Sequence, residues 1–259
     1  MLLSEEKLRN MVENVVKEQL SLNEGTQTLI DNFDVWGDML DCTDPDQFYF
    51  IQILKRYKDN PNLDKSQNYH AGASYGTYEE KTAFKVRNKE DLMSIKPQII
   101  KYCNENNARA YISSNPRSEK AIQNFIPTFR KRFSPNDPRY KHAEEILAGQ
   151  SKHDAVNFPN RKRFMLDIDT TDKNVWRIAK LIIQSYNIPI IKEFNTPSGG
   201  LHIMLPNAYA KEIPNLVRDL RVFDAEKRNF FPDKGKLQTV HANFDGKFIL
   251  YSNVETKGY

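Results

Sequence analysis

Between residues 47 and 252 the chain alternates between two hydrophobic periods, and that alternation limits its fold more than any other feature. Short runs rich in aromatic and β-branched residues are separated by segments whose apolar residues recur every three or four positions. Residues 47–58, 82–87, 108–113, 163–169, 188–193, 201–205, 236–242 and 247–252 read as strands. Asn88-Lys89-Glu90-Asp91 is an N-cap with acids in the first turn, opening a helix to about residue 106 that Pro97 is expected to split. The turn Asn115-Pro116-Arg117-Ser118 leads into a helix through about Lys131, and 175–186 and 212–220 read as further helices. Asn243-Phe244-Asp245-Gly246, between the last two strands, is hairpin chemistry. The resulting order β, β, α, β, α, β, α, β, β, α, β, β predicts an α+β fold with a split β-α-β sheet.

Ahead of that core, residues 4–40 read as helical, with Leu29, Ile30, Phe33, Trp36 and Leu40 in a second helix, and Thr43-Asp44-Pro45-Asp46 is turn chemistry. Two units are therefore expected: a helical appendage over 1–44 and an α+β domain over 45–259. The stretch 60–78 reads as a long loop whose Tyr69, Tyr75 and Tyr78, beside His70, would stack nucleobases or close a lid. Residues 134–160 show little periodicity outside 142–147.

Composition narrows the class. Apolar residues at 39% and aromatics at 11% argue against disorder, and no window approaches the roughly 18 apolar residues of a membrane span. The start Met1-Leu2-Leu3-Ser4-Glu5-Glu6-Lys7 turns charged at once, unlike a secretory signal. Cys42 and Cys103 form no CxxC, and two cysteines by themselves do not complete a zinc module, although His70, His142, His153 and His241 are available to assist. A reducing cytoplasm is the expected compartment. Lys and Arg exceed Asp and Glu by 38 to 34, and they bunch at Lys55-Arg56-Tyr57-Lys58, Arg130-Lys131-Arg132 and Arg161-Lys162-Arg163. Such clusters are either solvated surface charge or the footprint of an anionic partner.

Chemistry concentrates in two motifs. In Phe164-Met165-Leu166-Asp167-Ile168-Asp169 the period of a strand puts Asp167 and Asp169 on one face. Adjacent carboxylates repel and, when buried, need a cation, which makes this a divalent-metal candidate; the alternative is a strand end with solvated acids. Further along, Ser198-Gly199-Gly200-Leu201-His202-Ile203-Met204 places a glycine turn before a strand whose second residue is histidine. Gly199 and Gly200 permit close backbone approach, and Ser198 and His202 are phosphate donors, the alternative being a plain turn and a core histidine.

In order and type these motifs resemble motifs I and II of the archaeo-eukaryotic primase superfamily, a group of primases and primase-polymerases. The wider pattern is similar to phage and prophage members of that group, through Arg56-Tyr57-Lys58-Asp59-Asn60, Arg109-Ala110-Tyr111-Ile112, Asp167-Ile168-Asp169-Thr170 and Ile249-Leu250-Tyr251. The resemblance implies an RRM-like, primase-type mixed β-sheet core flanked by helices. It implies Asp167 and Asp169 as ligands of Mg2+ or Mn2+, and Ser198, Gly199, Gly200 and His202 as the triphosphate site, with Asp167, Asp169 and His202 catalytic. Lys55, Lys58 and Arg117 would then take phosphate, and Arg56, Arg130, Lys131, Arg132, Arg161 and Arg163 would hold nucleic acid. The family's third acid should precede Val240-His241, where Gln238-Thr239 stands; Asp224 is the substitute metal ligand, and Asp245 belongs to a turn.

Three functions follow as expectations. The first is a metal-dependent nucleotidyltransferase of primase-polymerase type, phage-encoded and acting in the host cytoplasm on nucleoside triphosphates and single-stranded DNA or RNA, with no membrane partner. The second is a primase-like binding protein without turnover, serving as a replication accessory or a counter-defence factor. The third is metal-assisted phosphodiester hydrolysis on the same acids.

Overall fold

The computed structural model describes residues 29–57, 59–63, 78–149, 163–168, 172–197, 199–209, 211–220, 240–243 and 246–254. The first expected helix, Tyr69, His70, Tyr75 and His153 lie outside the described residues.

The strand β2 (Gln47–Arg56) shows why the core divides as it does. Eight successive residues of it are buried, as in a strand covered on both faces. Tyr49, Ile51 and Ile53 enter one apolar cluster, while Phe48 and Phe50 enter another. Around it the first sheet has the order β1 (Ile30–Asp31), β10 (Lys247–Ser252), β4 (Arg109–Ser113), β2, β3 (Tyr78–Val86), with β5 (Arg117–Ser118) paired to the start of β2. One face carries α1 (Phe33–Met39) and α2 (Lys89–Asn106). The other carries α3 (Glu119–Arg130) and α5 (Ala143–Gly149), with the single turn α4 (Pro138–Lys141) between them.

Local chemistry sets the helix ends. Asn88 caps α2 by accepting from the Asp91 amide, and Asn107 ends it in the left-handed region at φ 45°. Pro97 does not split this helix, and its ring is exposed on the helix surface. Ser118 caps α3 by accepting from the Ala121 amide and itself donates to Asp46 at 2.5 Å.

The second sheet has the order β7 (Lys192–Asn195), β8 (Leu201–Pro206), β6 (Arg163–Ile168), β9 (Val240–Asn243). Helix α6 (Lys173–Ser185) carries the chain from β6 to β7 across β8, and α7 (residues 213–220) lies between β8 and β9 in the chain, which flank β6. These are two interlocked split β-α-β units. Phe164, Leu166, Ile168, Leu201, Ile203 and Leu205 pack under α6 and α7, whereas Met165, Phe194 and Met204 face the first sheet and join its core.

The α+β class is correct, but the expected single mixed sheet is two sheets, and every described pairing is antiparallel. The expected last hairpin is also corrected: β9 pairs with β6 and β10 with β4 and β1, so the two strands that flank Asp245-Gly246 in the chain belong to different sheets. The strand expected at 188–193 falls at Lys192–Asn195. Within residues 29–44, assigned above to the appendage, Ile30, Phe33 and Trp36 belong to the core of the first sheet, where Ile30 pairs with Ser252 and Trp36 stacks on Phe194 at 5.7 Å.

Two devices fasten the sheets together. The Asn115 side chain accepts from the Arg163 amide and donates to the Arg163 carbonyl, both at 2.9 Å, as a paired strand residue would. Gly246 closes the second junction: its carbonyl accepts from the Ser114 amide, and a Cβ there would lie 2.8 Å from the Cβ of Met165. Gly246→Ala is therefore expected to lower the unfolding free energy by about 1–3 kcal/mol through overpacking. In chemical denaturation, adding it to Met165→Ala should cost less than adding it to the native chain, because alanine removes the Met165 Sδ, 2.6 Å from that Cβ, and keeps only the Cβ contact.

Candidate functional site

Asp167 and His202 are brought together by strand register. They are direct partners across β6 and β8, and partners in an antiparallel pair point to the same face. His202 Nε2 lies 3.3 Å from Asp167 Oδ1, with side chains 9% and 24% exposed. The pair therefore sits at the rim of the core rather than inside it. Below it is an aromatic floor, in which the His202 ring meets Phe248 edge-on at 5.7 Å and Phe248 packs on Phe194 at 5.0 Å. Trp36 supports both phenylalanines at 5.7 Å. These rings fix the imidazole plane and keep water from its underside.

Asp167 Oδ1 and, on the other nitrogen of the ring, His202 Nδ1 are both buried without a hydrogen-bond partner. Two orphan polar atoms on adjacent side chains at a rim are what a bound ion or a ligand oxygen satisfies. Of the two, the Asp167 oxygen, which accepts no hydrogen bond, is the donor that a hard divalent cation takes. Among the described residues no group of three His, Cys, Asp or Glu converges on a metal position. Asp169, Asp224, Asp245, Gln238 and Thr239 lie outside the described residues, as do Ser198, Lys58 and Arg161.

The glycine turn behaves differently from its expected role. Gly199 adopts φ 79°, a conformation that glycine alone takes without strain. Its amide donates to the Thr196 carbonyl and the Gly200 amide donates to Thr196 Oγ1, both at 2.9 Å. These two donors are used inside the turn, so Gly199 and Gly200 shape the approach to β8 without offering amides to a phosphate.

Several of the expected basic contacts are structural. Arg163 is buried and spans the junction of the sheets: its guanidinium donates to the Tyr49 hydroxyl at 2.7 Å and the Met39 carbonyl at 2.6 Å, and lies 3.5 Å from Asp41. Burial, partly countered by Arg163, pushes the Tyr49 hydroxyl well above the ordinary tyrosine value, so it stays a neutral donor and acceptor. Arg117 is fully buried, and its Nε donates to the Ala148 carbonyl at 3.0 Å. Neither guanidinium faces solvent, which corrects their assignment to nucleic acid and phosphate. Arg130 donates to the Tyr140 carbonyl and stacks on that ring at 5.0 Å. Lys131 and Arg132 are exposed, yet α3 packs on the face of the first sheet turned away from the second. Lys55 and Arg56 close β2 half-buried.

The sequence reading missed a clasp. Arg109 holds Asp59 in a bidentate pair, Nε to Oδ2 at 2.7 Å, with side chains only 2% and 3% exposed. The Asn107 amide donates to the Asp59 carbonyl, and the Asn60 amide donates to the carbonyls of Arg56 and Asn107. Burial works against the guanidinium charge, but Tyr111 and Asp59 more than offset it and raise the Arg109 pKa above the ordinary value. The signal was present, because Asp59, Asn60 and Arg109 all belong to segments that carried the family resemblance. Burial also pushes the Cys103 thiol up to about 12, which removes it from consideration as a nucleophile.

No protein-family model, curated protein or solved structure matches this chain.

Proposed function

We propose that the chain is a metal-dependent nucleotidyltransferase of primase-polymerase type, acting on nucleoside triphosphates and single-stranded nucleic acid. The observation that carries this reading is the Asp167–His202 pair in direct register, with an unpartnered oxygen and nitrogen at the rim of an aromatic floor. The interlocked split β-α-β order of the second sheet supports an RRM-like core of the kind primases use. Asp167 and Asp169 would hold Mg2+ or Mn2+, whose chemistry when bound is charge stabilisation at the phosphates.

The chain's own residues supply positioning. Asp167 keeps one carboxylate oxygen free of hydrogen bonds, and His202, locked between Asp167 and Phe248, offers its imidazole to the departing pyrophosphate. A 3′ hydroxyl attacks the α phosphorus, one phosphorus–oxygen bond forms as the α–β bond breaks, and the hydroxyl proton leaves to solvent. Preorganised donors of this kind contribute about 10²–10³ in rate.

A second reading, a primase-like binder without turnover, is favoured by one feature: Gln238-Thr239 occupies the place where a third acid is expected. Labelled nucleotides, Mn2+ and a primed single-stranded template decide between them, with the Asp167→Ala/Asp169→Ala double variant as control. Extension by the native chain but not by the variant is expected. Template binding with no nucleotide consumption would favour the binder, and strand shortening without added nucleotide would replace both readings by hydrolysis.

A further inference from the structure

An open groove runs between α6 and β7, lined by Leu181 from the helix and by Ile190 and Ile191 from the approach to the strand. Its volume of about 560 Å³ leaves room for several side chains of a bound segment. Glu193, which also lines it, is the register partner of Ile203, and Ile203 packs under the helices of the second sheet. His202 points to the opposite face, toward Phe248, so the groove and the Asp167–His202 pair lie on different sides of this sheet. Among the described residues, the exposed large apolar side chains are Leu29, Leu181 and Ile191, and the last two, 39% and 42% exposed, both line this groove. Apolar exposure gathered at one place marks a contact surface, which scattered single residues do not.

The strand beside the groove is an edge. β7 is the outermost strand of its sheet, and among the described residues no strand pairs with its free side. Such an edge offers unpaired amides and carbonyls to an extended segment, and a helix alongside gives a wall against which alternate side chains of that segment pack. The charges select the segment. Lys180 Nζ lies 3.1 Å from Glu193 Oε2, so the one acid lining the groove is already neutralised. Arg177 and Lys192 line it too, and no described acid pairs with either, while α6 itself carries no acid. The lining holds no aromatic ring on which a nucleobase would stack, which favours a peptide over single-stranded nucleic acid. We propose that the α6–β7 groove binds an extended acidic peptide of a partner protein, added as a strand to β7. Alternate apolar residues of the peptide pack on Leu181 and Ile191, and its acids lie beside Arg177 and Lys192. Docking there leaves the Asp167–His202 face open.

A fluorescent octapeptide alternating valine and glutamate, titrated against the full 259-residue chain, tests this by polarisation and by hydrogen exchange. The expected result is saturable binding that weakens with added salt and slows amide exchange over 192–195. The exchange readout uses the native chain and needs no variant to fold. Arg177→Glu/Lys192→Glu should weaken binding by about tenfold or more at an unchanged thermal midpoint. A proline at the centre of the peptide should abolish binding, because it removes a ladder donor. No binding at about 1 mM peptide would overturn the proposal, as would binding that the double variant and the proline peptide leave unchanged. A deoxythymidine octamer that binds in place of the peptide, and is lost in the double variant, would reassign the groove to nucleic acid. None of these readouts involves metal or nucleoside triphosphate, so the result is separate from that of the extension assay.

Discussion

Arg109→Met will lower the unfolding free energy by about 3–5 kcal/mol, the usual cost of stranding one partner of a buried ion pair. Both side chains are almost fully enclosed, so deleting the guanidinium leaves the Asp59 carboxylate dry and uncompensated. The consequence extends beyond the pair, because Asp59, Asn60 and Asn107 together tie the end of β2 to the turn that starts β4. Asp59→Leu alone should be comparably harmful. The double variant should recover much of the loss, since removing both charges also removes both desolvation costs. Urea midpoints of the four proteins give the coupling directly. A shift below about 1 kcal/mol for Arg109→Met, the range of solvent-exposed pairs, would mean that the clasp is open to water in solution.

That clasp changes the meaning of the family resemblance. Two of the segments carrying it, Tyr57-Lys58-Asp59-Asn60 and Arg109-Ala110-Tyr111-Ile112, supply residues to one buried structural joint rather than to a ligand site. The likeness outside the acid and histidine motifs therefore bears on scaffold.

What the sequence made legible was local. The caps at Asn88 and Ser118 and the period-two packing of β6 and β8 follow from neighbours within a few residues. The Asp167–His202 approach was legible as two motifs, and it became a site only once register put them opposite each other. Non-local facts were hidden. Asp-Gly turn chemistry is local, whereas the partners of β9 and β10 are strands about 75 to 220 residues earlier, so the expected hairpin failed. The run Ile188-Pro189-Ile190 looked like a strand because it is apolar, yet Pro189 has no amide to donate to a ladder. Ile188 is buried under the helices of the second sheet while the strand proper starts at Lys192. Arg163 was grouped with its basic neighbours because its partners Tyr49 and Met39 are more than 100 residues away.

Asp167→Asn separates a functional carboxylate from a structural one. The substitution keeps size and shape but removes the charge that an ion requires, so Mn2+ affinity measured with nucleotide should fall at least 100-fold, about 2.7 kcal/mol. Stability should move the other way or not at all. The native carboxylate holds a buried Oδ1 that accepts no hydrogen bond, and a neutral amide at the same place is cheaper to desolvate. The apo thermal midpoint of Asp167→Asn is thus expected to equal or exceed that of the native chain, as at sites where a locally unfavourable arrangement is retained for binding. If instead the carboxylate serves only to orient His202 within the aromatic floor, the outcome reverses, with a lower midpoint and unchanged ion affinity. His202→Gln supplies the complementary measurement. On the functional reading it weakens nucleotide binding more than it lowers the midpoint, because Phe248 and Phe194 still pack against each other beneath it.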